Sequence, residues 1–334
     1  MKDKGRTDPA LCACRSVTSG VSIDFPSIRV LDGAMATELE SRGCDISGPL
    51  WSAHVLDQSP ATIAAVHLDY LRAGADCIST ASYQVSALGY RELGLSPAVA
   101  ARRAERALHQ SVEIALQARA QYARENSRRV WVAASLGPYG AALHNGAEYH
   151  GRYAIGFDDQ VSFHAERLAV LVEANVDLLA LETIPALEEA QAILRALESF
   201  PALTAWMSFT CRDAGHVAHG EPLRACVEVL AGAQQIAAVG INCTTPHLIA
   251  PLIAEARAGC GDRKPVIVYP NSGETWDAAT RTWRGASDTS RFGALARTWY
   301  AAGAQAVGGC CRTGPAHIAA AAAAARAAGP AASS

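Results

Sequence analysis

The 334-residue chain lacks the features that mark membrane and nucleic-acid-binding proteins. No apolar run approaches about 18 residues, the length that a transmembrane helix needs, so we expect no membrane partner. The formal net charge is -3 and no stretch is rich in Lys or Arg, which argues against nucleic-acid binding. Residues 1–22 are polar and lack the apolar core of a secretory signal, so we expect a protein of the reducing cytoplasm.

Common scaffold and site motifs are also missing. Ten cysteines in a chain of this length do not make a disulfide scaffold. Residues 32–37 read DGAMAT, which is not the GxGxxG phosphate loop of a dinucleotide-binding sheet. The ten histidines show no HxxxH or HxxEH pattern, which argues against a hydrolytic zinc site built on histidine. Cys12 and Cys14 lie in the polar N-terminal segment, where an idle pair and a metal pair both stay open.

Short apolar runs alternate with longer amphipathic runs along most of the chain. Runs that are nearly continuous in apolar residues are typical of parallel strands covered on both faces. We predict eight such strands, at residues 28–34, 77–83, 130–136, 176–182, 204–210, 237–243, 265–269 and 305–309. Eight strand–helix units predict an α/β fold with a single (β/α)8 TIM barrel, and a doubly wound sheet is the alternative. We expect the barrel domain to span residues 23–327, between disordered tails at 1–22 and 328–334.

The predicted turns support this repeat. Gly74 and Gly303 each end a helical pattern just before a strand, and Asn175 holds the same position before another. Gly and Asn tolerate the left-handed conformation that ends many helices. Two connections, 38–58 and 137–160, are long, and both follow strands. We therefore expect them on the catalytic face of the barrel.

Three cysteines at predicted strand ends are the main functional signal. Cys243 ends the sixth predicted strand, and Cys310 and Cys311 follow Gly308 and Gly309 at the end of the eighth. Because both strand ends open onto one face, the three thiols can meet, and thiolates suit a thiophilic metal, above all zinc. Three protein ligands leave a fourth position open, as in catalytic sites. Three buried core cysteines, or a strained vicinal disulfide of the adjacent pair, are the alternatives.

Other residues of the same face fit a small charged substrate. Asp32 and Glu182 end two predicted strands, and two acids near a metal suggest a ligand ammonium group, although a structural Arg or Lys partner would explain either one. Asn271 follows the seventh strand and offers an amide. Aromatic residues, whose faces attract cations, lie in or next to the long connections, although packing is their commoner role. They are Trp51, Tyr83, Tyr139 and Tyr149.

These motifs resemble the zinc-dependent homocysteine S-methyltransferase family, particularly the bacterial type that uses S-methylmethionine. The resemblance covers residues 28–318 and rests mainly on GGCCRT at 308–313 and GINC at 240–243. Further matching segments are LDGAMATELE at 31–40, LWSA at 50–53, VHLDY at 66–70, TASYQ at 80–84, GPYG at 137–140, LET at 181–183 and VYPNSGE at 268–274.

The resemblance implies roles for individual residues. It implies zinc on Cys243, Cys310 and Cys311, with homocysteine thiolate in the open position. It implies that acids matching Asp32 and Glu182 hold the homocysteine amino group, and that backbone amides near Gly33 and Ala34 receive its carboxylate. Trp51 matches a tryptophan that helps to hold the donor in betaine-using relatives. Gln84 stands where those relatives carry a tyrosine that can cap zinc when homocysteine is absent.

The expected function is methyl transfer from S-methylmethionine or S-adenosylmethionine to L-homocysteine, which forms methionine. One alternative is the same fold with another donor, such as betaine, or another thiol or selenol acceptor. An alternative of a different class is a non-enzymatic zinc-binding or redox-sensing barrel. The sequence does not determine the oligomeric state or rank the two sulfonium donors.

Overall fold

A computed structural model describes residues 25–46, 52–277, 282–284 and 287–329. The expected tails, 1–22 and 328–334, lie outside these residues except for Ala328 and Gly329, so their disorder stays a prediction. Within the described residues no helix is both long and apolar enough to cross a membrane.

Seven parallel strands form one curled sheet in the described part of the chain. They lie in the order β1-β2-β3-β4-β5-β6-β9, so each neighbour in the sheet is the next main strand along the chain. A separate antiparallel pair, β7 and β8, lies between β6 and β9 in sequence and was not predicted. The strands are β1 (Cys77–Ser79), β2 (Trp131–Leu136), β3 (Leu178–Ile184), β4 (Ala205–Phe209), β5 (Ile236–Asn242), β6 (Val266–Tyr269), β7 (Thr275–Asp277), β8 (Thr282–Arg284) and β9 (Ala304–Val307).

The first predicted strand, 28–34, is much shorter than expected. Only isolated bridges form there, from Val30 to Val307 and from Leu31 to Cys77, and they contact the two outermost strands, β9 and β1. The Leu31 amide donates to the Val307 carbonyl at 3.1 Å, and the Asp32 amide donates to the Cys77 carbonyl at 3.1 Å. The segment cannot extend because the helix that starts at Met35 begins three residues after Asp32.

Helices follow nearly every strand and cover the sheet. The α-helices are α1 (Met35–Ser41), α2 (Ser52–Gln58), α3 (Pro60–Ala73), α4 (Ala87–Glu92), α5 (Pro97–Glu125), α6 (Tyr139–Ala142), α7 (Phe157–Leu171), α8 (Leu187–Leu197), α9 (Leu223–Ala231), α10 (Ile249–Cys260), α11 (Thr289–Ala301) and α12 (Pro315–Ala328). Short 3-10 helices lie at Phe25–Ser27, Ala147–Tyr149 and Pro246–Leu248.

The turns behave as the sequence predicts. Gly74, Asn175 and Gly303 have φ angles of 112°, 51° and 103°, in the left-handed region that ends a helix. The two long connections are not structureless, however. The first contains α1 and α2, and the second contains α6 and the Ala147–Tyr149 turn.

Side chains of the sheet divide between two apolar layers because successive strand residues point to opposite faces. One layer packs between the sheet and the helices and includes Ile78 and Val132. The other is enclosed by the curled sheet and includes Trp206 and Ile267. Phe25 packs edge-on against Trp206 within this second layer. Apolar packing inside the sheet leaves the polar chemistry to the ends of the strands.

Candidate metal centre

Cys243 is the first residue after β5. Its φ angle is 50°, so the chain turns sharply where the strand ends. The Cys243 amide donates to the Tyr269 carbonyl at 3.3 Å, and the Cys243 carbonyl accepts from the Thr210 hydroxyl at 3.3 Å. These contacts to the two neighbouring strands fix the thiol, which is buried.

Cys310 and Cys311 lie in a tight turn after β9. The Cys310 amide donates to the Pro270 carbonyl at 2.7 Å, and the Cys311 carbonyl accepts from the Ser272 amide at 3.0 Å. The Cys310 carbonyl accepts two further bonds, from the amide and the hydroxyl of Thr313, at 3.1 and 2.6 Å. The turn therefore departs from strand geometry, which allows two adjacent cysteines to point to one place.

The glycines before this turn are needed for space. A Cβ on Gly309 would lie 2.2 Å from the Thr313 hydroxyl oxygen, and a Cβ on Gly308 would lie 2.6 Å from Cβ of Leu31. Neither glycine has a left-handed φ, whereas Arg312 does, at 66°. The two glycines therefore provide space for the turn, and its left-handed residue is Arg312, three positions after Gly309.

The three thiols form a compact cluster. The Sγ atoms of Cys243, Cys310 and Cys311 lie within 4.8 Å of one another, and no other potential metal-binding group of three ligands occurs in the described residues. The Cys243 and Cys311 Sγ atoms are 3.7 Å apart. Sulfur ligands about 2.3 Å from a tetrahedral zinc would be roughly 3.8 Å apart. All three cysteines are free thiols, so each can offer its sulfur to a metal ion.

The cluster already favours negative charge on one sulfur. Hydrogen bonds from Cys243 and then from Cys310 lower the pKa of the Cys311 thiol well below its usual value. The pKa of Cys310 is raised, first by its interaction with Cys243 and then by that with Cys311. A cation among the three sulfurs would remove this competition for protons, since metal ligands must be deprotonated.

Asp32 lies beside the cluster and is almost fully buried, with 6% of its surface exposed. Its carboxylate accepts hydrogen bonds from the Ser79 amide at 2.7 Å and the Ser79 hydroxyl at 3.2 Å. Burial raises the pKa of Asp32 to about 8; Ser79 opposes this rise, and the charge of Glu182 adds to it. Asp32 therefore lacks a cationic partner among the described residues.

Glu182 lies within β3, where the strand is irregular. The register with β4 shifts between Leu181 and Ile184, and Thr183 has a φ of 63°. The buried Asn242 side chain holds this bulge, since it accepts from the Thr183 amide at 2.8 Å and donates to the Thr183 hydroxyl at 2.7 Å. The strand thus continues past Glu182, and the bulge aims that side chain.

The environment of Glu182 resembles that of Asp32. The Ser135 hydroxyl donates a short hydrogen bond to its carboxylate. Burial raises the pKa of Glu182 to about 7, against hydrogen bonds from Ser135 and Tyr269, and the charge of Cys311 adds to the rise. Among the described residues neither acid forms an ion pair with Arg or Lys. The alternative of structural cationic partners therefore does not apply within that part of the chain.

The other predicted substrate contacts have different outcomes. The Asn271 amide donates to the Thr244 carbonyl at 3.1 Å, and its buried side-chain oxygen has no hydrogen-bond partner among the described residues. The Ala34 amide donates to the Thr313 carbonyl at 3.0 Å, so it is already occupied. Gly33 packs tightly, since a Cβ there would lie 2.9 Å from the Tyr70 hydroxyl.

The surroundings of the predicted aromatic residues Tyr83, Tyr139 and Trp51 differ. The Tyr83 ring lies against Gly137, where an added Cβ would be 2.6 Å from it. Burial raises the pKa of Tyr83 most, and the charges of Glu148 and Cys243 add to the rise. Tyr139 packs against Tyr153, with ring centroids 5.3 Å apart, and its contact with a substrate stays a prediction. Trp51 lies outside the described residues, so its role stays a prediction.

The sequence did not predict Glu148 and Tyr149 as residues of the site. The Tyr149 hydroxyl lies 3.5 Å from Cys243 Sγ, although this tyrosine was counted only among the aromatic residues of the long connections. Glu148 is buried beside it, and the charge of Cys311 helps to raise its pKa, after burial. The only sequence signal was their place in a long connection after a strand.

Comparisons with known proteins show the family of this chain. The sequence model of the family described as homocysteine S-methyltransferase matches residues 29–325. The homocysteine S-methyltransferase of Bacillus subtilis (strain 168) is 48% identical over 301 residues, which cover 89% of this chain and 94% of that protein. The selenocysteine Se-methyltransferase of Brassica oleracea var. italica is 40% identical over 304 residues, which cover 86% of each chain.

A solved structure is similar to this chain in fold. The metallated form of the homocysteine methyltransferase MmuM from Escherichia coli superposes with a TM-score of 0.76 at 42% sequence identity. The match covers 89% of this chain and 96% of that one.

Proposed function

The chain belongs to the homocysteine S-methyltransferase family and is a methyltransferase. We propose that it transfers a methyl group from S-methylmethionine or S-adenosylmethionine to L-homocysteine, with zinc held by Cys243, Cys310 and Cys311. The observation that carries this proposal is a cluster of three thiols, with sulfurs within 4.8 Å, near two buried acids that have no cationic partner among the described residues. Family membership favours this enzyme over a non-enzymatic or redox-sensing barrel.

The proposal includes a closed (β/α)8 barrel around this site. The bridges of Val30 to Val307 and of Leu31 to Cys77 support it, because one short segment contacts both outer strands of the sheet. Closure would bring the end of that segment, Asp32, next to the turn of Cys310. The Gly309 amide donates to the Asp32 carbonyl at 2.9 Å, which supports this arrangement.

The donor set supports zinc as the metal. Three thiolates are soft ligands, and three protein ligands are the number that leaves a position for substrate. Zinc on these cysteines would deprotonate the homocysteine thiol and keep its sulfur nucleophilic. The residues of the chain then have to hold the two substrates in line, which is a task of positioning.

Asp32 and Glu182 would bind the homocysteine ammonium group. Both acids have a raised pKa because they are buried, and the charge of Glu182 adds to the rise for Asp32. A bound ammonium group would supply the positive charge that both lack and would return them to the charged form. Asn271, with its unpartnered oxygen, would accept a hydrogen bond from the same substrate.

A sulfonium donor fits the charge of the site. Three cysteines and buried acids surround the reacting position, and negative charge offsets the cost of burying a cation. In the transfer, the bond from the sulfonium sulfur to the methyl carbon breaks as the bond to homocysteine sulfur forms. The donor leaves as a neutral thioether, and the thiol proton of homocysteine is released. With S-methylmethionine, both products are methionine.

A selenol acceptor is a second candidate. The observation that favours it is the 40% identity to a protein named selenocysteine Se-methyltransferase. A selenol differs from a thiol mainly in size and acidity, so the same cluster would accept either atom.

A donor panel tests the proposal. Zinc-loaded protein with saturating L-homocysteine would be supplied with S-methylmethionine, S-adenosylmethionine, betaine or methyltetrahydrofolate, each with a deuterated methyl group, and labelled methionine would be measured. We expect both sulfonium donors to be used faster than the other two. Faster turnover with betaine or the folate would contradict the assigned donor class, and no labelled methionine with any donor would contradict the function. Selenocysteine in place of homocysteine tests the second candidate.

A further inference from the structure

A third buried acid lies at the thiol cluster. Glu148 is 8% exposed, and its Oε2 atom is buried with no hydrogen-bond partner among the described residues. No Arg, Lys or His of those residues forms an ion pair with it. An unpaired buried carboxylate is costly, and the described residues supply no cation to it, which points to a cationic ligand.

The position of Glu148 is fixed by close packing of the backbone. It belongs to the Ala147–Tyr149 turn, which lies directly on Gly140. A Cβ on Gly140 would lie 2.5 Å from the Glu148 amide nitrogen and 2.6 Å from the Ala147 carbonyl carbon. Any side chain at position 140 would therefore push the turn away.

A buried polar network holds the two ends of the same connection. Glu189 accepts hydrogen bonds from the Tyr139 amide at 2.5 Å and the Tyr153 hydroxyl at 2.8 Å. It also pairs with His164 Nε2 at 3.0 Å, and Arg167 donates to His164 Nδ1 at 2.8 Å. Residues on both sides of Glu148 are thus anchored to α7 and α8. These contacts hold the connection that carries Glu148 in place.

Glu148 precedes the residue that contacts the thiol cluster. The next residue, Tyr149, has its hydroxyl 3.5 Å from Cys243 Sγ, and the charge of Cys311 helps to raise the pKa of Glu148, after burial. Asp32 has Glu182 as its neighbouring acid instead. One pair of acids is sufficient for the single ammonium group of homocysteine, which leaves Glu148 for another cation.

We propose that Glu148 binds the α-ammonium group of the methyl donor. This inference rests on the proposed function and specifies how the second substrate is held. The sulfonium group is a poorer partner, because its charge disappears in the transition state and a carboxylate on it would stabilise the ground state more. The ammonium group keeps its charge throughout, so binding it orients the donor without opposing transfer.

Steady-state kinetics of Glu148→Gln test the proposal. The amide is close in size to the acid but carries no charge. We expect kcat/KM for S-methylmethionine to fall roughly 10- to 100-fold, the range for losing a hydrogen bond to a charged group, with an unchanged KM for homocysteine. Glu113→Gln, at an exposed acid of α5, is the matched control. Glu148→Asp keeps the charge and should recover part of the loss.

A donor without an ammonium group makes the test specific. Dimethylsulfoniopropionate has the sulfonium and the carboxylate only, so Glu148→Gln should alter its use far less than that of S-methylmethionine. An equal loss with both donors, or a higher KM for homocysteine, would overturn the proposal. Zinc content and circular dichroism of each variant show whether the site and fold persist.

Direct binding separates this inference from the proposed function. Calorimetric titration of S-methylmethionine into zinc-loaded protein without homocysteine involves no turnover. Weaker binding to the Glu148→Gln variant than to the wild type would support the inference even if methyl transfer were not observed. Binding that is equal in the two proteins, or absent from both, would overturn it.

Discussion

Single residues at the strand ends decide the chemistry of this site, and the cysteines decide most. Cys243→Ser, Cys310→Ser and Cys311→Ser should each lose the metal and the activity. A serine hydroxyl is a poor ligand for a thiophilic metal. The protein should still fold, because its apolar layers lie elsewhere. Zinc content by elemental analysis, with Cys44→Ser as the control, checks this expectation. Full metal occupancy in any of the three variants would contradict the ligand set.

The two acids of the proposed homocysteine subsite should act on binding and not on the metal. Glu182→Gln removes one charge from the proposed ammonium contact, a loss of roughly 1.5–3 kcal/mol. The KM for homocysteine should rise about 10- to 100-fold at unchanged zinc content. Loss of zinc in this variant would show that Glu182 is a ligand or a structural acid.

Asp32 should also give the free protein a pH dependence of stability. Its folded pKa of about 8 is above the unfolded value, so the folded state keeps a proton that the unfolded state releases. The stability that this retained proton gives to the folded state is therefore complete below about pH 4 and is lost as the pH rises through 8. In this window, Asp32→Asn should reduce the slope of the free energy of unfolding against pH by up to about 1.4 kcal/mol per pH unit.

Denaturant unfolding at pH 5, 6, 7 and 8, without homocysteine, measures this slope. Glu113→Gln should keep the slope of the wild type. Identical slopes for Asp32→Asn and the wild type would show that Asp32 is already ionised in the free protein.

At the scale of elements, the connection between β2 and α7 carries the unexpected part of the site. Gly140→Ala should displace the turn that holds Glu148 and Tyr149, because the added Cβ would meet backbone atoms at 2.5 and 2.6 Å. We expect a destabilisation of about 1–3 kcal/mol and a lower kcat/KM for the donor. Gly232→Ala, where only the Val229 carbonyl lies within 4 Å of a Cβ, at 3.9 Å, is the control. Equal donor kinetics in both variants would contradict this role of the connection.

Sequence patterns predicted the strands well because burial on both faces gives a strong apolar signal. Predicted strands 204–210 and 265–269 match β4 and β6 to within one residue at each end. The predicted first strand, 28–34, was too long, since apolar residues continue where the backbone already turns toward α1. The hairpin of β7 and β8 was missed because three-residue strands leave no clear period.

At the scale of the whole molecule, topology determined which site residues could be predicted. Cys243 and the Cys310–Cys311 pair were predictable because parallel strand ends converge on one face. Glu148 and Tyr149 were not, since their approach to the cluster depends on the packing of a long connection against Gly140 and Glu189. Sequence spacing contains no information on such contacts.

We propose that three cysteines hold a zinc whose open position binds homocysteine sulfur. X-ray absorption at the zinc edge, on purified protein before and after addition of L-homocysteine, measures this coordination directly. We expect three sulfur ligands at about 2.3 Å in the free protein and four after addition. A sulfur count that stays at three, or protein that is active without zinc, would contradict it.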